Sequence, residues 1–243
     1  MSRRGEILKE MGLAPVWKLR TGVSQDEPSP VEEKQPSAET RESAAAQGSA
    51  ATRQADILKM DWPQLKVRVA GCTDCKLRAG CTQTVFGVGD EKAEWMLVGE
   101  APGAEEDRLG EPFVGQAGRL LDNMLAAIGL ARGRNVYIAN VLKCRPPANR
   151  NPEPDEVEQC APYLLRQIGL VRPKLIVAMG RFAAQTLLGT DATIASLRGK
   201  VHRYAGVPLV VTYHPAYLLR NLPDKSKAWA DLLFASTTIN GQK

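Results

Sequence analysis

Four short apolar segments, each separated from the next by a helix-like segment, constrain the fold of this chain more than any other feature. The apolar segments are WMLVG (95–99), VYIANVL (136–142), LIVAMG (175–180) and PLVVTY (208–213). Continuous hydrophobicity is typical of strands buried on both faces, and such strands occur in parallel sheets covered by helices. The pattern predicts an α/β fold with three αβα layers around a central four-stranded, mostly parallel sheet.

The segments with helical spacing of apolar residues are 118–130, 154–171, 182–188 and 225–237. The second of these begins with acidic residues, which favours a helix start at Pro154. Right-handed crossovers would place the carboxyl ends of all four strands at one edge of the sheet, where open α/β sheets bind ligands. The residues that follow the strands are therefore the candidate site: Glu100-Ala101-Pro102-Gly103, Asn140, Lys143, Cys144, Gly180, Arg181 and His214-Pro215.

The first 55 residues differ in composition from the rest. Residues 21–55 are rich in Pro, Ser, Glu, Gln and Ala and contain no aromatic residue, so we expect them to be disordered. Residues 6–20 form a short apolar segment, which either docks as a helix on the domain or binds a protein partner. We therefore predict a tail over 1–55 and one domain over 56–243.

Composition excludes several classes for this 243-residue chain. No apolar run approaches the roughly 20 residues of a membrane helix, and the basic start lacks the apolar core of a secretory signal. The net charge of +5 arises entirely from residues 56–243, because residues 1–55 carry eight basic and eight acidic residues. A basic folded domain is compatible with a polyanionic partner.

Five cysteines form a second candidate site. Cys72 and Cys75 make a CxxC pair, and Cys144 and Cys160 flank a proline-rich loop further along the chain. An odd number without a signal favours a reducing compartment, where such pairs bind metal or do redox chemistry. Spacing alone leaves open a zinc ion, an iron–sulfur cluster or a redox dithiol, and whether Cys81 replaces one of the four.

Six motifs together resemble one known family, from about residue 68 to the end of the chain. They are CTDC (72–75), TQTVFGVGD (82–90), GEAPGAEED (99–107), GEPFVGQAG (110–118), ANVLKCRPPANRNP (139–152) and YHPAYLLR (213–220). In this combination the chain resembles the family 4 uracil-DNA glycosylases, DNA base-excision repair enzymes of bacteria and archaea that carry a [4Fe–4S] cluster. The resemblance implies a hydrolase that flips uracil out of DNA, releases it as the free base and leaves an abasic site.

The resemblance assigns the cluster to Cys72, Cys75, Cys144 and Cys160. Family members often have arginine just before the TQTVFG motif, whereas this chain has Cys81 there. A structural or a redox role for the cluster stays open.

Three residues are implied to contact the flipped base. The Asn140 amide offers a donor and an acceptor that match uracil and mismatch cytosine. Phe113 would stack on the base, and His214 would donate to uracil O2 where negative charge develops. Taken without the family, a strand-end asparagine bonded to backbone and a core phenylalanine are the plainer interpretations.

The segment Glu100-Ala101-Pro102 matches the family's water and base loop. Glu106 is implied to lie near uracil C5 and to exclude the thymine methyl group. Glu100 is the candidate for activating water, with Glu106 and Asp107 as alternatives, because the aspartate that family 1 enzymes have at the Ala101 position is absent.

The DNA contacts are expected from Leu218 and Leu219 as an apolar wedge and from Arg220 on phosphate. The alternative for the leucines is a helix turn packed on the core. Further phosphate contacts are expected from Lys143, Arg145, Arg150, Arg181, Lys225 and Lys227.

Two other functions compete with this one. A non-catalytic nucleic-acid-binding module of the same fold would keep the metal site and lose the chemistry. A variant that bonds covalently to DNA would need a KRRIH insertion, which is absent after Lys143. We expect a cytosolic monomer whose partner is uracil-containing DNA.

Overall fold

The computed structural model describes residues 51–241. Its centre is one six-stranded sheet in the spatial order β1-β3-β2-β4-β6-β5. The strands are β1 (Val88–Gly89), β2 (Trp95–Gly99), β3 (Val136–Asn140), β4 (Leu175–Met179), β5 (His202–Tyr204) and β6 (Val207–Thr212). Strands β3, β2, β4 and β6 pair in parallel, as predicted. The predicted number of four strands was too low, because β1 and β5 pair antiparallel at the two edges.

Helices cover both faces of the sheet. They are α1 (residues 51–57), α2 (Trp62–Ala70), α3 (Ala104–Leu109), α4 (Gln116–Ala127), α5 (Pro154–Val171), α6 (Arg181–Leu188), α7 (Ile194–Leu197), α8 (Pro215–Arg220) and α9 (Lys225–Asn240). No helix in this part of the chain is both long and apolar enough to cross a membrane.

Alternate residues of each parallel strand point into two separate apolar cores. Met96 and Val98 of β2 join a core with α2, α5 and α6, whereas Trp95 and Leu97 join a core with α4 and α9. Both faces of β2 are therefore buried, which is why its sequence shows no polar alternation. The three-layer αβα prediction is confirmed.

The position of β2 creates the crevice for the candidate site. The chain passes from β2 to β3 on one side and then returns to β4 on the other side of β2. Such a reversal of strand order opens a crevice at the carboxyl ends of the strands. Residues following β2, β3, β4 and β6 therefore face one another across it.

The domain begins earlier than the predicted residue 56. Residues 51–57 are helical, so the prediction of disorder is wrong for 51–55. Arg53 explains this, because its guanidinium bonds to Asp74 and to the carbonyl of Gln159. The apolar segment 6–20 and the stretch up to residue 50 lie outside the described residues.

Candidate active site

A cleft of about 730 Å³ lies at the carboxyl edge of the sheet. Most residues predicted from the sequence to contact the base or the DNA line this cleft: Glu100, Ala101, Pro102, Glu106, Phe113, Asn140, His214 and Arg220. Six of them lie at or after the ends of β2, β3 and β6, which the parallel topology brings to one edge. Glu106 and Phe113 come from α3 and from the loop before α4. Leu218 and Leu219 do not line it.

Asn140 ends β3 and is buried, with an exposed fraction of 2%. Its Oδ1 is the one buried side-chain oxygen or nitrogen of residues 51–241 that has no hydrogen-bond partner. Gly99 lies opposite it in β2, and a Cβ there would come within 2.4 Å of Oδ1. Leaving a buried acceptor unpaired costs about 1–3 kcal/mol, and this oxygen makes no hydrogen bond to the backbone.

Phe113 lies beside Asn140 in a strained conformation. Its backbone has φ +57°, a left-handed value that costs a bulky residue roughly 1–3 kcal/mol. The ring is tilted by 30° against the His214 ring, at 5.4 Å between centroids. A Cβ on Gly99 would lie 2.6 Å from Phe113 Cζ, so glycine is needed for the ring to reach this position.

His214 precedes α8 and is neutral. Its Nδ1 accepts a hydrogen bond from the Ala216 amide at 3.1 Å, which leaves the proton on Nε2. Burial lowers the pKa of His214 to about 4, although Glu106 acts in the opposite direction and Arg220 adds to the lowering. The structure therefore provides an uncharged Nε2–H donor at the cleft.

Glu106 joins two loops of the cleft. Its Oε1 accepts from the amides of Val114 at 3.0 Å and Gly115 at 3.3 Å, and its Oε2 accepts from Gly103 at 3.1 Å. A carboxylate that holds three amides is a poor candidate for activating water. Exclusion of the thymine methyl group by Glu106 stays a prediction.

Asp107 was the other alternative for activating water, and its position does not support that role. It is buried and bonds to the Thr82 amide, the Thr82 hydroxyl and the Gln83 amide, and it does not line the cleft. Glu100 does line it, and burial raises the pKa of its carboxyl group, with Arg181 opposing the rise. Glu100 therefore stays the candidate for activating water.

The two leucines of the predicted DNA wedge differ in exposure. Leu218 is 1% exposed and packs in the interior, so the prediction of a DNA contact for Leu218 is wrong and the packed-helix alternative holds. Leu219 is 38% exposed, and its DNA contact stays a prediction. Leu222, which was not among the predicted DNA contacts, is 60% exposed. Arg220 is exposed and lines the cleft.

Lys143 is not available for phosphate. It is 2% exposed, and its Nζ donates to the Asn140 carbonyl at 2.8 Å and to Gln167 Oε1 at 2.7 Å. Lys227 is paired with Asp224 at 2.8 Å. Arg181 and Lys225 are exposed and remain candidates.

Four cysteines predicted to bind metal, Cys72, Cys75, Cys144 and Cys160, line one small cavity. Burial raises the pKa of the Cys160 thiol to about 12, and it raises the pKa values of Cys75 and Cys144 as well. The Lys143 amide donates to Cys160 Sγ at 3.2 Å. Cys81 lies next to Cys144 but does not line the cavity. Among residues 51–241 no three His, Cys, Asp or Glu side chains form a site for a single metal ion.

Asp74 organises the loop between Cys72 and Cys75. Its carboxylate accepts from Tyr163 at 2.7 Å and from the guanidinium groups of Arg53 and Arg68. Burial alone would raise the pKa of Asp74, but these hydrogen bonds hold it well below its usual range. Sequence reasoning missed this cluster, because its members come from α1, α2 and α5.

Comparisons with known proteins identify the relatives of this chain. A family model described as the uracil DNA glycosylase superfamily matches residues 86–233. The chain is 51% identical over 159 residues to a type-4 uracil-DNA glycosylase of Archaeoglobus fulgidus, covering 62% of this chain and 79% of that relative. It is 46% identical over 169 residues to a type-4 uracil-DNA glycosylase of Pyrobaculum aerophilum, covering 66% and 86%.

The α/β fold and the cleft, with these matches, define the class: the chain belongs to the uracil DNA glycosylase superfamily. Within that superfamily it belongs to the type-4 uracil-DNA glycosylases. The resemblance noted from the motifs and the predicted enzyme class are thereby confirmed.

Proposed function

We propose that the cleft binds uracil flipped out of DNA and that the chain hydrolyses the bond between this base and its deoxyribose. The observation that carries the proposal is the buried, unpaired Oδ1 of Asn140 beside an aromatic ring and a neutral histidine. A target base must leave the stack before its glycosidic bond can be reached. The products are free uracil and an abasic site.

Asn140 selects the base by polarity. Its Oδ1 accepts from uracil N3–H, and its Nδ2 donates to O4. Cytosine has an acceptor at N3 and a donor at C4, so both hydrogen bonds would be lost and buried polar groups would remain unpaired. Phe113 contributes by stacking on the face of the base.

His214 stabilises the leaving group. As the C1′–N1 bond breaks, the bonding electrons move to uracil and the sugar gains oxocarbenium character. The Nε2–H of neutral His214 donates to O2, where the negative charge collects, and no proton has to be transferred for this. Glu100 accepts a proton from the water that adds to C1′.

Cys72, Cys75, Cys144 and Cys160 fit a [4Fe–4S] cluster, because four thiols and no histidine line one small cavity. These four residues would hold the cluster as thiolates, and the bound cluster would cross-link the loop at Cys72 to α5. Iron and sulfide analysis of purified protein, with zinc as the contrary result, tests this assignment.

DNA binding uses the exposed groups at the rim of the cleft. Arg220 and Arg181 contact phosphates, and Leu219 enters the stack in place of the extruded base. Affinity for DNA should fall with salt in proportion to the phosphates neutralised. We place the protein in the cytosol, at the nucleoid, as a monomer, and we propose a protein partner for residues 6–20.

The test is release of free uracil from a dU oligonucleotide by purified protein, followed by alkaline cleavage at the abasic site. Release that Asn140→Ala abolishes supports the proposal. DNA binding without any release at high protein concentration would instead identify a non-catalytic binding module.

A further inference from the structure

Phe113 needs support from outside the cleft, because nothing in its own backbone favours φ +57°. The residue is not glycine, asparagine or aspartate, the types that adopt this conformation readily. Its ring must nevertheless stay fixed between Asn140 and His214 for a base to stack on it.

Arg132 supplies support on one side. It lies in the loop after α4, outside the cleft, and its Nη1 donates to the Pro112 carbonyl at 2.8 Å. Its Nη2 donates to the Phe113 carbonyl at 2.7 Å, and its Nε donates to Asp122 at 3.1 Å. The planar guanidinium thus binds two successive carbonyls, a geometry that a lysine cannot reproduce.

The surroundings leave the Phe113 carbonyl little freedom. A Cβ on Gly118 of α4 would lie 1.7 Å from that oxygen, so the helix packs directly on it. Glu106 accepts from the next two amides, those of Val114 and Gly115. The strained residue is therefore fixed from both neighbouring peptide groups.

We propose that Arg132 is a positioning residue for uracil recognition, which acts only through Phe113. It holds the left-handed backbone that presents the Phe113 ring to the flipped base. The inference rests on the proposed function, since the ring matters only if a base stacks on it. Loss of Arg132 should weaken the binding of uracil and leave the Asn140 and His214 chemistry in place.

The test compares Arg132→Met with Arg134→Met, a control at an exposed arginine two positions away. The readouts are the inhibition constant of free uracil and the separate kcat and KM on a dU oligonucleotide. We expect Arg132→Met to raise the inhibition constant and KM about tenfold, with a smaller change in kcat. Arg132→Lys keeps a charged donor, so its inhibition constant and KM should lie between those of the unmodified chain and those of Arg132→Met. It replaces Arg132→Met in the test if that variant does not fold.

A double-mutant cycle with Phe113→Ala separates positioning from general stability. If Arg132 acts through the ring, Arg132→Met in the Phe113→Ala background should not weaken uracil binding further. Additive effects, or equal values for Arg132→Met and Arg134→Met, would overturn the inference while uracil release by the unmodified chain still stands. Absence of release by the unmodified chain would instead remove the proposed function.

Discussion

The cleft and the cysteine cavity differ in whether their buried polar groups have hydrogen-bond partners. In the cleft, Asn140 Oδ1 is buried without a partner and Phe113 is strained. Around the cysteine cavity, Asp74 accepts from Tyr163, Arg53 and Arg68, and none of the described residues that line the cavity has a buried side-chain nitrogen or oxygen without a partner. The unpaired oxygen in the cleft costs free energy that a hydrogen bond from a bound base would recover. The hydrogen bonds around the cavity instead stabilise the folded chain.

Lys143 connects the two regions. Its amide donates to Cys160 Sγ, and its side chain donates to the carbonyl of Asn140. One buried residue therefore contacts both regions. The comparison predicts that substitutions in the cleft change activity and spare stability, and that substitutions around the cavity do the reverse.

The largest effect is expected from Asn140→Ala. Loss of both hydrogen bonds to the base should lower kcat about 1000-fold. The melting temperature should change little, because the substitution also removes an unpaired buried acceptor. Single-turnover uracil release and thermal unfolding measure the two quantities, and a large drop in stability would break the contrast between the regions.

His214→Ala should lower kcat about 100-fold, through loss of one donor to the leaving group. Because the pKa of His214 is about 4, the unmodified enzyme should show no loss of kcat from this group between about pH 8 and 5, and a loss as pH approaches 4.

The free energy of unfolding should decline as pH falls from 6.5 toward 4, since the unfolded chain then binds the His214 proton more readily than the folded chain does. A fall in kcat above about pH 6.5 that His214→Ala removes would show that charged histidine is the active form.

Asp74→Asn tests the other region. It should lower the free energy of unfolding by about 1–3 kcal/mol, because hydrogen bonds from two guanidinium groups lose their charged acceptor. The discrimination of uracil from cytosine should not change. Glu91→Gln is the matched control, since its ion pair with Lys66 is exposed and worth less than about 1 kcal/mol. Equal destabilisation by the two variants would contradict the role given to Asp74.

The smallest effect is expected from Leu219→Ala. We expect a severalfold loss of activity on double-stranded DNA and a smaller loss on single-stranded DNA, because a single strand has no duplex stack in which the extruded base leaves a gap. Leu218→Ala should instead destabilise the fold by about 2–5 kcal/mol, because it empties a core position. The ratio of activities on the two substrates checks the assignment, which fails if Leu218→Ala is the variant that changes this ratio.

The sequence predicted the features that follow from periodicity. The four parallel strands and the helix over 154–171 were predictable, because long apolar patterns specify them. Strands β1 and β5 are two and three residues long and leave no pattern. In α8, six residues are too few for the sequence to show which leucine faces inward.

Within the site, the order of strand ends predicted which residues would meet. The residues that hold the site residues in position were not predictable. Lys143 is buried and Arg132 binds backbone carbonyls, but in the sequence both look like surface charges. Their partners, Gln167 and the Phe113 carbonyl, become visible only when distant segments are packed together.

The central claim is that one buried acceptor, one ring and one neutral imidazole converge on uracil. A crystal structure with uracil bound tests it most directly. We predict N3 within hydrogen-bond distance of Asn140 Oδ1, the base stacked on Phe113 and O2 facing His214 Nε2. A base bound elsewhere, with Asn140 Oδ1 still unpaired, would contradict the account.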